Sequence, residues 1–201
     1  MFFWKYIDLK TRTENEHKKS LHLVRIGTSG SLQEDIPVDS FVLSSHAVGF
    51  DGVLPFYQYA HADDETALIE SFCAHTDWPA ELNPPYIFKS PGEVFTTLEK
   101  DMITGITATA NGFYGPQGRV LRLPVRVPDM NEKLRTFSHE GLRVCNYEME
   151  TSALYGLSRL LGHHAATVCA IIANRYRKEY SRDYHATIEK LTGIVLDRLT
   201  A

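Results

Sequence analysis

Short apolar runs alternate along this chain with segments whose apolar residues recur at helical spacing. Runs rich in β-branched and aliphatic residues predict strands at 21–24, 41–44, 103–109 and 168–173. Helical spacing predicts helices over 63–75, from Glu150 to about Gly162, and over 188–199. This alternation predicts an α/β fold with a mostly parallel or mixed sheet, flanked by helices, with binding loops where the strands end.

Two polar clusters have the spacing of helix N-termini. Ser90-Pro91-Gly92-Glu93 matches a capping box with proline at the first helical position, and it predicts a helix through about Lys100. Asp129 with Glu132 repeats the capping-box spacing. We therefore expect side-chain caps at both helix starts.

The segment 146–153, Asn-Tyr-Glu-Met-Glu-Thr-Ser-Ala, places two carboxylates where a predicted strand leads into a predicted helix. Side chains alternate along a strand, so Glu148 and Glu150 are expected to point the same way, with Met149 opposite. Carboxylates are seldom buried without partners, and a polyhydroxylated ligand would supply them. A solvated strand end that caps the helix explains the same residues equally well.

Arg25-Ile26-Gly27-Thr28-Ser29-Gly30 follows the first strand and is predicted to form a glycine turn. Glycine lets the backbone approach a ligand closely, and the N–H groups of such a turn can form an anion-binding nest. Arg25 adds a bidentate phosphate donor, and Thr28 and Ser29 add hydroxyl groups. The spacing matches neither the P-loop nor the dinucleotide fingerprint, and an ordinary tight turn is the alternative.

The segment 112–119, Gly-Phe-Tyr-Gly-Pro-Gln-Gly-Arg, is predicted to be a loop that carries two adjacent aromatic residues, Phe113 and Tyr114. Loops carry binding groups more often than regular elements, and an aromatic face suits a flat base. Gln117 offers a donor and an acceptor, whereas Arg119 offers only donors, so together they suit a ring with carbonyls and an imide N–H, such as uracil. The alternative is a surface loop whose aromatic rings fold back onto the body.

Composition is that of one globular α/β domain over residues 1–201, because 43% of the 201 residues are apolar and no repeat or linker interrupts them. The net charge of −4 argues against nucleic acid or an anionic membrane as the main partner. Cys73, Cys145 and Cys169 are odd in number, which favours free thiols and a reducing compartment. Met1–Trp4 is apolar but too short for an export signal, so we expect a cytoplasmic protein.

The nine histidines raise the question of a metal site. None of them has the His-x-x-x-His spacing that places two ligands on one helix face, and no Cys-x-x-Cys pair is present. The neighbours His163 and His164 are adjacent, so their side chains diverge. We therefore expect no metal site.

The motifs RIGTSG, FYGPQGR, NYEMETSA and IIANR together resemble those of the nucleoside phosphorylase family, and in particular its uridine phosphorylase branch, from about Leu21 to the C-terminus. The resemblance implies the fold of that family and a pentosyltransferase that splits uridine with inorganic phosphate into uracil and ribose 1-phosphate, without a cofactor. It also implies small-molecule nucleoside and phosphate as partners, a role in nucleoside catabolism and pyrimidine salvage, and a homo-oligomer, either a dimer or a hexamer built from dimers.

The same resemblance assigns site residues. The phosphate-binding residues it implies are Arg25, Thr28, Ser29 and Gly30. The base-binding residues are Phe113, Gln117, Arg119 and Arg175, with Arg175 acting through Gln117 or an ordered water. The ribose-binding residues are Thr28, Glu148, Met149 and Glu150. The catalytic residues are Arg25, Thr28, Gln117, Arg119 and Glu150.

The substrate class is indicated by the last strand. Purine enzymes of the family use an aspartate after this strand to protonate the base, and the related hydrolases use an acidic residue near the same point. Here 168–174 contains no carboxylate, which favours a pyrimidine nucleoside and phosphorolysis. The choice between uridine, deoxyuridine and thymidine stays open.

The start of the chain departs from the family pattern. The family has a whole βαβ region before its RIGTSG-like strand, with a Gly-Asp-Pro loop and a further arginine for phosphate. Only 24 residues precede Arg25, and they contain no such loop. We therefore expect a family member without this N-terminal region, with 1–20 as an atypical segment. The alternative function is a catalytically silent, nucleoside-binding homologue or fragment that has lost part of its phosphate site.

Overall fold

The computed structural model describes residues 7–14 and 18–201, so the apolar start at Met1–Trp4 and part of the predicted atypical segment 1–20 lie outside it. Within these ranges the strands are β1 (His22–Ser31), β2 (Phe41–Gly49), β3 (Tyr86–Lys89), β4 (Ile103–Thr109), β5 (Ser138–His139), β6 (Leu142–Glu148), β7 (His164–Asn174) and β8 (Glu179–Tyr180). The helices are α1 (Asp63–Thr76), α2 (Gly92–Leu98), α3 (Met130–Thr136), α4 (Thr151–Leu160) and α5 (Tyr184–Thr200).

The strands form one mixed sheet in the order β3-β2-β4-β6-β1-β7-β8, with β5 beside β6. β1 is parallel to β7, and β4 is parallel to both β2 and β6. β2 also pairs with β7 in antiparallel register, where Phe41, Val42 and Leu43 face residues 168–170. The strands β2, β4, β6, β1 and β7 therefore close into a ring. The predicted α/β class is confirmed, whereas the closure depends on a pairing between distant strands that periodicity does not reveal.

Both predicted capping boxes are wrong. The buried Ser90 hydroxyl donates to the carbonyl of Ala165 in β7 at 2.9 Å, so it is not available to α2, which begins at Gly92. Asp129 makes no side-chain cap at α3. A carboxylate cap does occur at α1, where Glu65 accepts from the backbone N–H groups of Ala62 at 3.0 Å and of Lys89 at 2.7 Å. No helix in the described ranges is long and apolar enough to cross a membrane.

A line of buried polar side chains crosses four neighbouring strands of the ring. The hydroxyls of Ser44 and Thr107 lie 2.5 Å apart, and Thr107 donates to Oδ1 of Asn146 at 2.8 Å. Nδ2 of Asn146 donates to the hydroxyl of Ser29 at 2.8 Å. These bonds satisfy groups that would otherwise be costly to bury, and they link β2, β4, β6 and β1 at the level of the predicted site.

The cysteines are free thiols, as predicted. Cys145 and Cys169 are buried in β6 and β7, and burial raises the pKa of each to about 11. Cys73 on α1 is partly exposed. Buried thiols with raised pKa values are packing groups rather than nucleophiles.

Candidate functional site

Arg25 lies at the centre of the candidate site. Its guanidinium pairs with the carboxylate of Glu150, lies 3.4 Å from that of Glu148, and donates to the sulfur of Cys169 at 3.4 Å. Burial by itself disfavours the charge, but Cys169 and the two glutamates outweigh it and raise the pKa of Arg25. The side chain is therefore a permanent cation that two carboxylates hold in place.

Glu148, the last residue of β6, is a buried cap. Its carboxylate accepts from the hydroxyl of Thr109 at 2.5 Å, from the N–H and hydroxyl of Thr151 at 2.9 and 2.8 Å, and from the N–H of Glu150 at 3.0 Å. Burial raises the pKa of Glu148, while the bond from Thr109 and the charge of Arg25 lower it. The carboxylate thus organises the start of α4 from inside the protein.

Glu150 and Met149 face outward instead. The side chain of Glu150 is 56% exposed and Met149 is 41% exposed, whereas Glu148 is almost fully buried. Both carboxylates reach Arg25, but the expected alternation is not observed, because β6 ends at Glu148 and the side chains of Met149 and Glu150 are both exposed. Each of the two sequence-based interpretations therefore applies to one residue. Glu148 caps the helix, and Glu150 is the carboxylate that a ligand can reach.

The predicted glycine turn at Arg25–Gly30 is wrong, because the whole segment lies inside β1. The structure shows no left-handed backbone at Gly27 or Gly30, and β1 carries only a register shift between Ser29 and Gly30. Gly27 has a different purpose. A Cβ built on it would lie 2.5 Å from a guanidinium nitrogen of Arg25, so its missing side chain provides the space in which that guanidinium lies.

The hydroxyl groups of this segment do not gather around Arg25. Ser29 is 5% exposed and its hydroxyl accepts from Asn146, so it belongs to the polar line across the ring. Strand alternation puts Thr28 on the opposite face of β1 from Arg25 and Gly27. Of the residues assigned to phosphate, Arg25 is therefore the one that the structure brings to the two glutamates.

The base loop, defined as residues 112–119, contains a short 3-10 turn at Gly115–Gln117 and the left-handed Gly118. Gln117 is 3% exposed. Its side-chain carbonyl accepts from the guanidinium of Arg119 at 2.7 Å and from that of Arg175. The predicted support of Gln117 by Arg175 is thus a direct contact, and the acceptor of Gln117 is already occupied.

Arg175 follows β7 and is largely buried. Burial, and then the charge of Arg119, lower its pKa to about 10. Its Nε has no hydrogen-bond partner among the described residues, while one terminal nitrogen also donates to the backbone carbonyl of Gln117 at 3.1 Å. A Cβ on Gly30 would lie 3.0 Å from this Nε, so Gly30 makes room for Arg175 at the end of β1.

The aromatic residues of the base loop do not fold back onto the body. Phe113 and Tyr114 are about half exposed, at 52% and 55%, and their rings meet edge to face at 5.3 Å. The guanidinium of Arg119 lies over the Phe113 ring, 3.8 Å from its centroid. The ring is thus held in an exposed position by a cation on one of its faces.

The arginine-glutamate group and the base loop are joined through the ends of β6 and β1. The hydroxyl of Tyr147, the residue before Glu148, donates to the carbonyl of Pro116 in the base loop at 3.2 Å. The N–H of Arg175 donates to the carbonyl of Ser31 at 2.9 Å. A cavity of about 730 Å³ opens behind the loop, lined by Tyr114, Arg119 and Tyr147 among others. It lies beside the predicted ribose residues and does not include them.

The sequence of this chain matches that of a known protein family. The family model of the phosphorylase superfamily matches residues 15–199. The chain belongs to this superfamily. The predicted relationship to nucleoside phosphorylases, and to their uridine phosphorylase branch, is confirmed by its relatives.

Those relatives are longer than this chain. It is 27% identical to the uridine phosphorylase of Thermococcus kodakarensis over 165 residues, which cover 79% of this chain and 50% of the relative. It is 29% identical to the uridine phosphorylase of Escherichia coli over 162 residues, which cover 78% of this chain and 54% of the relative. The chain thus spans about half the length of these curated relatives.

A solved structure agrees with the fold. The Trypanosoma brucei nucleoside phosphorylase, which shows uridine phosphorylase activity, superposes with a TM-score of 0.86 at 25% identity. The match covers 98% of this chain and 72% of that one. The described part of the chain therefore has the phosphorylase superfamily fold.

The structure also identifies supporting residues that the sequence motifs did not reveal. The Thr109 hydroxyl binds Glu148 and accepts from the N–H of Ser152 at 3.0 Å, which ties β4 to the start of α4. Buried Asp51 accepts from the Ser152 hydroxyl at 2.9 Å and from the Tyr86 hydroxyl at 2.7 Å. Thr109 could have been found from the sequence, because it ends a predicted strand. The Asp51 cluster could not, because Asp51, Tyr86 and Ser152 are far apart in the sequence.

Proposed function

We propose that this protein catalyses the phosphorolysis of uridine to uracil and ribose 1-phosphate. The observation that carries the proposal is the connection through the end of β6, where Glu150 pairs with Arg25 of β1 and Tyr147 bonds the loop that presents Gln117, Arg119 and an exposed Phe113. The relatives described as uridine phosphorylases support the same activity.

In this mechanism an oxygen of phosphate attacks the anomeric carbon of the ribose. The bond from that carbon to N1 of uracil breaks, and its electron pair passes to the base, which takes a proton from solvent. Arg25 holds the phosphate anion, and Glu150 accepts hydrogen bonds from ribose hydroxyls. Both groups position the reactants. In a site that forms no covalent intermediate, such positioning supplies most of the rate enhancement.

Charge that develops on the departing base would be stabilised by the cluster around Gln117. The Gln117 acceptor is bound by two guanidiniums, so the cluster presents donors to the base. Uracil carbonyl oxygens are acceptors that match such donors. Met149 and Phe113 supply apolar surface for the sugar and the base.

A pyrimidine substrate is supported by the end of β7. Asn174 donates to the carbonyls of Gln33 and Ile36 at 2.8 Å, and its own carbonyl accepts from the N–H of Arg177 at 2.8 Å. Its amide is therefore committed to the backbone and is not a group that could protonate a purine. We further propose that the protein acts in pyrimidine salvage in the cytoplasm, as a homo-oligomer, with inorganic phosphate as co-substrate and no cofactor.

The second candidate is a nucleoside-binding homologue without phosphorolytic activity. The observation that favours it is the state of Arg25, whose charge is already balanced by Glu148 and Glu150. The segment expected to form an anion-binding nest is a strand, so it offers phosphate fewer free N–H groups than a turn would.

The test is incubation of the purified chain with uridine, with and without phosphate, followed by chromatography of uracil. Release that depends on phosphate is expected. Release without phosphate would indicate hydrolysis and contradict the proposal. No release from folded protein that still binds uridine would establish the silent homologue. Deoxyuridine and thymidine in the same assay define the substrate.

A variant links the activity to the base loop. Arg119→Ala removes the cation that holds Phe113 and Gln117, and its loss is expected to lower turnover by about ten- to a hundredfold, since one charged hydrogen bond is worth about 1.5–3 kcal/mol. Arg182→Ala, at an exposed position before α5, is the matched control. Unchanged kinetics for Arg119→Ala would remove the base-site assignment.

A further inference from the structure

Two histidines meet at the edge of the ring where β1 and β7 begin. His22 and His164 are register partners on these parallel strands, so their side chains project from the same face. Their rings lie 5.1 Å apart at an interplanar angle of 83°. Glu93 of α2 joins them, with its carboxylate 3.8 Å from Nε2 of His22.

We propose that His22, Glu93 and His164 bind a divalent transition-metal ion, with Zn²⁺ as the expected ion. Each residue offers one ligand atom, and these three atoms lie within 4.8 Å of one another. Two imidazole nitrogens and one carboxylate oxygen form a donor set that suits Zn²⁺, Ni²⁺ or Cu²⁺, whereas Mg²⁺ and Ca²⁺ prefer oxygen ligands alone.

The geometry is close to what a tetrahedral site requires. Zinc bonds of about 2.0–2.1 Å place neighbouring ligand atoms about 3.3 Å apart, so even the 4.8 Å limit closes with a movement of about 1.5 Å. The side chains of His22 and Glu93 are 51% and 74% exposed and can rotate to make this movement. A fourth position would be filled by water.

His164 has a nitrogen that the protein leaves uncommitted. Its Nδ1 is buried and has no hydrogen-bond partner among the described residues. Buried polar atoms are nearly always paired, and an exception calls for a reason such as a bound ion. A metal ion held by this imidazole would be a partner of suitable chemistry.

The site is separate from the proposed reaction centre, because strand alternation puts the side chain of His22 on the opposite face of β1 from that of Arg25, so its role is structural. His22 is the first residue of β1, whereas Ser31 at the other end adjoins Arg175. β1 pairs with β7 along its length but with β6 only at Gly30 and Ser31. An ion that joins β1, β7 and α2 would therefore stabilise the start of β1, which pairs with β7 but not with β6.

The sequence-based expectation of no metal site considered only ligands on one element. The three residues come from different elements, His22 from β1, Glu93 from α2 and His164 from β7. Spacing rules detect helix-face and loop pairs, but they do not detect ligands that strand register brings together.

The experiment is a Zn²⁺ titration of the chelator-treated 201-residue chain in competition with a chromophoric chelator, with thermal unfolding measured in parallel. One tight site per chain and a Zn²⁺-dependent rise in Tm are expected, with no comparable rise in Mg²⁺. Co²⁺ is expected to give the visible absorption of a tetrahedral site. No stoichiometric binding would overturn the proposal.

His22 and Glu93 are exposed, so their replacement should remove a metal ligand without disturbing the fold. His22→Gln and Glu93→Gln are each expected to weaken Zn²⁺ binding at least about tenfold and to abolish the Tm rise, because a three-ligand site loses one ligand. His185→Gln on α5 is the matched control and should bind as the parent does. The variants should keep the metal-free Tm, which separates ligand loss from misfolding. Parent-like binding by both variants would place the metal on other histidines and refute the site.

Discussion

Arg25 donates a hydrogen bond to the carboxylate of Glu150, so the residue proposed to hold phosphate is paired with the residue proposed to hold ribose. Each is the other's partner in this structure. Phosphate must compete with Glu150 for the guanidinium, and the ribose hydroxyls must compete with Arg25 for the carboxylate. Binding of one substrate therefore frees the group that binds the other, which makes the two binding events mutually favourable.

Replacement of Glu150 by glutamine should tighten phosphate binding in the absence of nucleoside. The substitution removes the anion that competes for Arg25, and a partly exposed ion pair is worth up to about 1 kcal/mol, which corresponds to about a fivefold change. Isothermal titration with inorganic phosphate measures the effect. Glu189→Gln on the exposed face of α5 is the charge-matched control. Weaker binding by Glu150→Gln would show that Glu150 positions Arg25 and does not compete with phosphate.

Replacement of Gly27 by alanine should damage the site without unfolding the protein. The new Cβ would meet the Arg25 guanidinium at 2.5 Å, and this flexible side-chain end moves more easily than the strand. Arg25 would leave Glu148 and Glu150, so uridine turnover should fall about tenfold or more, as expected when a charged contact is lost. Steady-state kinetics at varied phosphate, together with far-UV circular dichroism, test this. A folded variant with parent-like kinetics would mean that Arg25 takes no part in turnover.

Replacement of Gly193 by alanine should stabilise the protein. Gly193 lies on the exposed side of α5, and a Cβ built there meets no atom within 4 Å. Alanine is more favourable than glycine inside a helix by about 0.5–1 kcal/mol. Urea unfolding should show this gain, and the same variant is the glycine-to-alanine control for Gly27, with turnover unchanged. A loss of stability would mean that the face of α5 at Gly193 is covered in solution, for example by a second subunit.

Mild acid should destabilise the fold through His46. Burial, and then the charge of Lys89, lower the pKa of His46 from 6.5 to about 4. The folded state therefore favours the neutral ring, so its contribution is fully present above about pH 6.5 and is lost as pH falls towards 4. The loss should approach roughly 3 kcal/mol for a shift of this size.

The measurement is the free energy of unfolding in urea between pH 7.5 and pH 4.5. His46→Gln should flatten this dependence, because its amide does not titrate. His185→Gln, at an exposed position, should retain the parent slope. A parent-like slope in His46→Gln would assign the acid sensitivity to other groups.

The α/β class, the helices α1, α4 and α5, and parts of β1, β2, β4, β6 and β7 follow from the sequence because they depend on local periodicity, whereas β3, β5 and β8 were not predicted. Periodicity also located Glu148 and Glu150 at a strand-to-helix junction, but it did not distinguish the buried cap from the exposed carboxylate. That difference depends on Thr109 and Thr151, which are hydrogen-bonded to Glu148. Contacts with the neighbouring strand and with the helix start determine which glutamate is buried, and residue spacing alone does not predict these contacts.

The RIGTSG segment shows a second limit. Glycines within a short polar stretch are typical of a turn, yet here the backbone stays extended, because β7 pairs with β1 on both sides of the bulge. The tertiary pairing overrides the local preference. Gly27 is needed for the space that Arg25, two residues earlier in β1, occupies, and Gly30 for the space of Arg175, which is distant in sequence.

The closed ring also sets a constraint on how the polypeptide matures as it leaves the ribosome. β1 is made before its long partner β7, which extends to Asn174, and the start of β2 likewise waits for residues 168–170. β2 can pair earlier with β3 and β4, but most of β1 and the start of β2 lack their β7 partner until residues 164–174 have emerged. Closure of the ring depends on long-range contacts, which slow folding and lengthen the period in which unfinished chains can associate with one another.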